Sequence, residues 1–151
     1  MFDTSPPQAT PPDSPILKSV IHNLAEGVVV ADSRGKLLLF NRVAETILGI
    51  AALDVEPSAW STTYGCYRTD KITPFPSEEL PLARAIAGES TREVEIYIRN
   101  PQRPSGAWIA VKGDPLRDAT GELCGGMAVF RNITRSKQRE EYLRMLTEAV
   151  E

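Results

Sequence analysis

The stretch from Gly106 to Thr134 constrains the fold most, because it has the pattern of a long β-hairpin that runs directly into a helix. Two runs rich in apolar and β-branched residues, Ala107–Lys112 and Leu123–Arg131, flank a turn-rich middle that contains Asp114-Pro115. Apolar runs bounded by Gly, Pro and Asp are typical of antiparallel strands and their turns. The hairpin therefore predicts a domain whose last strand leads into a C-terminal helix.

Composition limits the classes of protein that this chain can belong to. With 151 residues, 42% hydrophobic and 25% charged, it is expected to form one globular domain with tails. The net charge of −3 gives no electrostatic case for binding nucleic acid. No apolar run reaches the roughly 18–20 residues of a membrane span, and no signal peptide begins the chain. We therefore expect a cytoplasmic protein, with Cys66 and Cys124 as reduced thiols.

The first third of the chain alternates short helices with a hairpin. Residues 1–14 are Pro-rich and predict a disordered leader, and apolar residues at helical spacing then predict a helix over 15–25. Val28–Asp32 and Lys36–Phe40 predict a first hairpin. Asn41 is expected to cap a helix that ends at Gly49.

The remaining pattern completes an α+β arrangement. Residues 50–76 predict loops with one short helical turn, and Ser77 is expected to cap a helix that reaches Ala87. Thr91–Arg99 alternates as a strand does, and Thr134–Glu151 has the pattern of a charged helix with one apolar flank. Strands grouped around inserted helices predict an antiparallel sheet with helices on one face.

That order of elements, with several local motifs, resembles a PAS domain of bacterial sensor proteins, in particular those of histidine kinases. Pro76–Glu89 is also similar to a stretch found in PAS domains of multi-domain histidine kinases. In Asn132-Ile133-Thr134, Asn replaces the Asp of the family's Asp-Ile-Thr motif, so it can cap the following helix but carries no charge. The other motifs that carry the resemblance are Glu26–Asp32, Phe40-Asn41, Asp114–Asp118 and Gly121.

The resemblance implies a PAS domain over 15–133, with 15–25 as a capping helix, and a signalling coiled-coil linker over 134–151. It implies five antiparallel strands in the order 2-1-5-4-3 around a pocket. Strand registers taken from the family place one set of side chains toward the pocket and another on the outer face of the sheet. The pocket set is Val29, Ala31, Ile109, Val111 and Phe130, and the outer set is Val28, Val30, Trp108, Met127 and Val129. An apolar outer face needs a cover, so we expect a homodimer across it, the 15–25 helix over it, or both.

The resemblance also bears on cofactors. Heme-binding relatives use an axial His from the helix above the pocket, whereas the only histidine here, His22, lies on the first helix. Flavin-adduct relatives carry a Cys within Asn-Cys-Arg-Phe-Leu-Gln, which neither Cys66 nor Cys124 matches. These departures argue against heme and covalent-adduct flavin, and the identity of any ligand stays open. Arg84 could face an anionic ligand or pair with Glu79, Asp114 or another carboxylate.

The function expected from this pattern is that of a non-catalytic sensory domain. A small ligand in the pocket would act through Asn132, Ile133 and Thr134 on the last helix, which would continue as a coiled coil into an effector domain. A ligand-free dimerisation and relay module is one alternative. A small α+β enzyme is another, but it requires a polar pair inside a pocket whose inward set is apolar.

Overall fold

A computed structural model describes residues 15–22 and 24–150, so the predicted leader over 1–14 lies outside the described residues. The chain forms five helices and six strands within these bounds. The helices are α1 (Pro15–His22), α2 (Arg42–Leu48), α3 (Trp60–Tyr64), α4 (Pro81–Ile86) and α5 (Thr134–Val150). The strands are β1 (Gly27–Asp32), β2 (Leu37–Phe40), β3 (Cys66–Tyr67), β4 (Thr91–Asn100), β5 (Arg103–Arg117) and β6 (Leu123–Asn132).

The six strands form one antiparallel sheet in the order β2-β1-β6-β5-β4-β3. Five of them are the predicted strands, and their order is the predicted 2-1-5-4-3. The sixth, β3, is only two residues long and pairs with β4 at the sheet edge. The predicted α+β fold is therefore confirmed, with one short edge strand more than expected.

The central hairpin is longer than its sequence pattern indicated. Asp114 and Pro115 were predicted to lie in the turn, but they continue β5 and pair with Met127 and Gly126. The reversal is made at Asp118, which was also predicted to lie in the turn and whose side-chain oxygen accepts hydrogen bonds from the backbone N–H groups of Thr120 and Glu122. An Asp side chain that bonds the backbone ahead of it is the local interaction that closes such a turn.

Helix α4 begins three residues later than predicted, at Pro81 rather than Glu78. Leu80, the residue before Pro81, is extended at φ −61° and ψ 142°, so Pro81 is the first residue of the helix. A residue before proline is driven out of the helical region by contact with the proline ring, whereas proline itself suits the first helical position. Ser77, the predicted cap, instead begins a 3-10 turn and accepts a hydrogen bond from the N–H of Ser61.

The core lies between one face of the sheet and helices α2, α3 and α4. Helix α2 is joined to β1 by Asn41, whose side-chain oxygen accepts hydrogen bonds from the N–H groups of Ala44 and Val28. Helix α4 packs closely on the backbone of β6 at Gly126. A Cβ added at Gly126 would lie only 2.7 Å from the Cβ of Ala85. A glycine in a strand interior is expected where another element comes this close.

Candidate functional site

A cavity of about 90 Å³ lies inside the core, between the sheet and the helices that cover it. Most of its lining is apolar, and only three lining side chains, those of Trp60, Tyr64 and Cys66, carry a polar atom. The rest of the lining comes from Val29, Leu37, Phe40, Leu48, Leu80, Pro81, Leu82, Ile96, Ile98, Ile109, Val111, Ala128 and Phe130. The chain thus leaves space for a small molecule within its core.

Four of the six predicted pocket residues line this cavity: Val29, Ile109, Val111 and Phe130. Ala31 does not, although it is fully buried, because it lies opposite Gly126 on the stretch of sheet that α4 covers directly. At that point helix and sheet touch and leave no space between them. The expectation that Ala31 faces the pocket space is therefore corrected.

Arg84 also lies outside the lining of the cavity. The buried side of α4 is formed by Pro81, Leu82 and Ala85, which leaves Arg84 on its flank, half-buried. The two carboxylates predicted to pair with it have other partners, because Arg68 binds Glu79 at 3.2 Å and Arg92 binds Asp114 at 2.9 Å. Arg84 therefore does not face the cavity, where it was predicted to meet an anionic ligand. The predicted ion pairs with Glu79 and Asp114 are not formed either.

Helix α3 supplies two lining residues outside the predicted pocket set. It lies in the stretch over 50–76, which was predicted as loops with one short helical turn, and it brings Trp60 and Tyr64 to the cavity. The buried amide of Asn100 holds it in place, because its nitrogen donates to the carbonyl of Tyr64 at 2.9 Å and to that of Leu48 at 3.0 Å. One side chain therefore joins the ends of α2 and α3 over the cavity.

The cavity lining is electrically neutral. Burial raises the pKa of the Cys66 thiol to about 12, so the thiol stays protonated at neutral pH. Burial also raises the pKa of Tyr64, whose hydroxyl donates to the carbonyl of Ala51 and accepts from the N–H of Leu53, both at 3.0 Å. The indole nitrogen of Trp60 is buried and has no hydrogen-bond partner among the described residues.

The predicted relay residues meet at the start of α5. The hydroxyl of Thr134 accepts a hydrogen bond from the N–H of Trp108 at 2.8 Å, and the N–H of Ile133 donates to the carbonyl of Trp108 at 2.8 Å. The side-chain oxygen of Asn132 accepts from the N–H and the hydroxyl of Thr134. The first turn of α5 is thus fixed to the middle of β5.

The outer face of the sheet is partly covered by the chain itself. Trp108 is only 8% exposed, because Tyr97 packs edge-on against its ring and the ammonium groups of Lys71 and Lys137 lie 5.8 and 4.8 Å from its centre. Val28 is buried as well, which leaves three half-buried residues of the predicted outer set, namely Val30, Met127 and Val129. The expectation that Trp108 and Val28 need an outside cover is therefore corrected.

Helix α1 leaves two of its described apolar side chains exposed. Ile16 is 78% exposed and Val20 is 53% exposed. The helix also ends at His22, three residues before the predicted end at Ala25.

Within the described ranges, no helix combines the length and the hydropathy that a membrane crossing requires.

Comparison with known proteins agrees with this architecture. A family model described as PAS fold matches residues 16–57. No curated protein matches the chain. Among solved structures, an RNA-binding Light-Oxygen-Voltage receptor is 22% identical with a TM-score of 0.58, over 98% of this chain and 41% of that one. This chain therefore spans less than half the length of that receptor.

Two shorter structures agree over most of their own length. The PAS domain of an HTR-like protein from Haloarcula marismortui is 16% identical with a TM-score of 0.54, over 78% of this chain and 89% of that one. A sensory box histidine kinase/response regulator from Burkholderia thailandensis E264 is 15% identical with a TM-score of 0.55, over 88% and 95%. At these identities the likeness establishes the fold alone. The chain therefore has the PAS fold, an antiparallel sheet with helices on one face and a C-terminal helix.

Proposed function

We propose that this chain is the sensory domain of a signalling protein, in which a small molecule in the cavity alters the placement of α5. The observation that carries the proposal is the position of β5 between the two. Ile109 of β5 lines the cavity, and the backbone N–H and C=O of its neighbour Trp108 bind Thr134 and Ile133 at the start of α5. Because Ile109 and Trp108 are joined by one peptide group, a shift of Ile109 moves the backbone that holds α5.

The proposal requires that the ligand distinguish two arrangements of the helix. A ligand shifts such an equilibrium only by the difference between its affinities for the two states. In this chain the difference would come from the inward side chains of β5 and β6, such as Ile109 and Phe130, which line the cavity directly beside the residues that lead into α5.

We further propose that the effector is a histidine kinase in the cytoplasm, reached through a coiled-coil continuation of α5. The similarity of Pro76–Glu89 to histidine-kinase PAS domains supports this, as does the fold shared with the sensory box histidine kinase/response regulator. Helix α5 also carries exposed apolar side chains that a partner helix would cover, at Tyr142, Leu143, Met145 and Leu146.

A homodimer across the outer face is part of the same proposal. Val30 and Met127 pair directly between β1 and β6, and Val129 lies two residues along β6 on the same face. All three are only half-buried by their own chain, so they form a small apolar patch that a second copy would cover. We propose no catalytic role for the chain itself, since the cavity lining contains no ionised group.

The small volume of the cavity favours one alternative, a relay module that works without a ligand and fills its interior with its own side chains. Native mass spectrometry with an absorbance scan, on protein purified without added cofactor, separates the two functions. A retained small mass, together with a change in amide exchange of α5 when that mass is removed, is the expected result for a sensor. A bare polypeptide whose α5 exchange responds to no added small molecule would overturn the sensory proposal.

A further inference from the structure

We propose that the cavity ligand is a small hydrocarbon or a similarly apolar molecule, held by dispersion contacts and by no hydrogen bond. This inference rests on the proposed sensory function and adds the chemical class of the ligand. It begins from the surface of the cavity, which is almost wholly apolar although three lining side chains carry a polar atom. The class of the ligand follows from where those three polar atoms lie and what they already bind.

None of the three polar atoms offers a ligand a strong hydrogen bond. The indole nitrogen of Trp60 is itself buried, so it adds almost nothing to the cavity surface. The Tyr64 hydroxyl donates to the carbonyl of Ala51 and accepts from the N–H of Leu53, so its proton is in use. Burial raises the pKa of the Cys66 thiol to about 12, and a neutral thiol behaves as a small apolar group with a weak donor.

The rest of the lining is apolar even where it is not fully buried. The lining residues are all buried except Leu37 and Phe40, which lie on the edge strand β2. Neither of these two carries a polar side-chain atom, and no side chain in the described lining is charged. A ligand with a carboxylate, an ammonium or an amide group would therefore lose its hydrogen bonds to water and gain no partner, which opposes its binding.

Water is a poor occupant of this space for the same reason. A buried water makes two to four hydrogen bonds, whereas an engineered apolar cavity of about 150 Å³ in another protein stays dry. A dry void leaves the side chains around it without contact atoms on one side, and a molecule that fills the void supplies those contacts. The cavity therefore favours an apolar occupant over both water and a polar compound.

Volume sets the size of the molecule. The engineered cavity of about 150 Å³ binds benzene, which has six non-hydrogen atoms. The present cavity is about 90 Å³, which in proportion holds a molecule of about four non-hydrogen atoms. A short or branched hydrocarbon chain of that size fits the cavity, whereas an aromatic ring exceeds it.

Isobutene and acetone are matched probes of this inference, because they have the same shape but carry C=CH₂ and C=O respectively. The readout is a titration followed by the methyl resonances of the lining residues Val29, Ile109 and Val111. Ile72, an exposed residue outside the lining, serves as the reference. We expect isobutene to bind about tenfold or more tightly than acetone, because acetone loses hydrogen bonds to water that the cavity does not replace.

Ala128→Leu tests whether the bound probe lies in the cavity. Ala128 is buried and borders the cavity, so the larger side chain would occupy the space of the ligand and should abolish isobutene binding. Ala52→Leu makes the same change at an exposed position and should leave binding unchanged. Undiminished binding in a folded Ala128→Leu protein would place the isobutene site elsewhere and overturn the inference. The comparison of the two probes in the unsubstituted protein decides the matter even if Ala128→Leu does not fold.

The outcomes separate this inference from the proposed function. If acetone moves the lining resonances at the same concentration as isobutene, the cavity binds small molecules and the apolar assignment is wrong. If isobutene binds as expected but leaves the amide exchange of α5 unchanged, the assignment holds and the sensory proposal fails. If neither probe moves a lining resonance up to its limit of solubility, both fail together.

Discussion

The ammonium group of Lys137 lies 2.9 Å from a carboxylate oxygen of Glu95, which fastens the first turn of α5 to the outer face of β4. The same ammonium group lies 4.8 Å from the centre of the Trp108 ring. The Lys137 side chain is only 21% exposed, so the pair is more protected than an ordinary surface ion pair. The hydrogen bond to Glu95 raises the pKa of Lys137 and keeps it charged at neutral pH.

Substituting Lys137→Met should loosen α5 without unfolding the domain. The variant keeps the aliphatic stem but removes the charge that binds both Glu95 and the Trp108 ring. Exposed ion pairs and cation–π contacts are each worth about 1 kcal/mol or less, so losing both should raise amide exchange in the first two turns of α5 about thirtyfold at most. Hydrogen exchange read by mass spectrometry measures this change.

The matched control is Arg144→Met, which removes the ion pair with Glu141 on the same helix without a link to the sheet. It should leave exchange in the first turns unchanged. Equal exchange in both variants would show that the contact of Lys137 with the sheet does not hold the helix.

Asn100→Leu should destabilise the domain by about 2–6 kcal/mol, the cost of two buried carbonyls that lose their donor. The substitution keeps the approximate shape of the side chain but leaves the carbonyls of Leu48 and Tyr64 buried without their donor, at about 1–3 kcal/mol each. Chemical denaturation measures the free energy of unfolding. Gln102→Leu, at an exposed position two residues along, is the control and should change it by less than about 0.5 kcal/mol. A similar value for both variants would contradict the role given to Asn100.

Gly126→Ala should push α4 away from the sheet. The new Cβ would lie 2.7 Å from the Cβ of Ala85 and 2.8 Å from the backbone nitrogen of Ile86, so the helix has to move. Overpacking of this kind costs about 1–3 kcal/mol, and the amide chemical shifts of α4 should change with it. Gly121→Ala tests the alternative that backbone strain alone is responsible, because Gly121 has a φ of 86° but no atom within 4 Å of its added Cβ. That variant should lose stability and leave the α4 shifts in place.

Acid should weaken the first hairpin through Asp32. Hydrogen bonds from the backbone N–H groups of Lys36 and Arg34 hold the pKa of this carboxyl below its ordinary value of 3.8. The stabilisation it provides is therefore complete above pH 3.8 and is lost as the pH falls through the lowered pKa. Asp32→Asn should reduce the free energy of unfolding at pH 7, and the difference from the unsubstituted protein should shrink below pH 3.8. A difference that stays constant as the pH falls below 3.8 would contradict this role of the Asp32 charge.

Met127→Lys should dissociate the proposed homodimer. The substitution places a charge in the half-buried patch that Met127 forms with Val30 and Val129, where a second copy would have to bury it. Sedimentation velocity should show the monomer for this variant and the dimer for Leu53→Lys, a change at an exposed apolar position in the loop between α2 and α3. A dimer that survives Met127→Lys would place the contact between copies elsewhere.

The sheet could be predicted from the sequence because successive side chains of a strand point to opposite faces. Val94, Ile96 and Ile98 point toward the core as their spacing predicted, and the hairpin that ends at Asn132 carries the inward residues Val111 and Phe130. The start of α4 could have been predicted as well, since Leu80 precedes a proline. The prediction that Ser77 caps this helix did not take into account the effect of Pro81 on Leu80.

Helix α3 could not be predicted in the same way. It is five residues long, too short for an apolar period to stand out, and distant partners hold it in place. Asn100 binds its last turn, and Ser77 accepts the hydrogen bond of Ser61 near its start. The unused donor of Trp60 is likewise a property of the packed core, because no local pattern shows which buried groups find partners.

The two tryptophans of the chain lie at opposite ends of the proposed signalling route. Trp60 borders the cavity, and Trp108 lies beneath the first turn of α5 on the other face of the sheet. Their indoles are therefore built-in optical reporters, one at the input and one at the output. With one of them replaced by phenylalanine, the emission of the other would follow ligand entry or helix movement separately, in a protein that needs no attached dye.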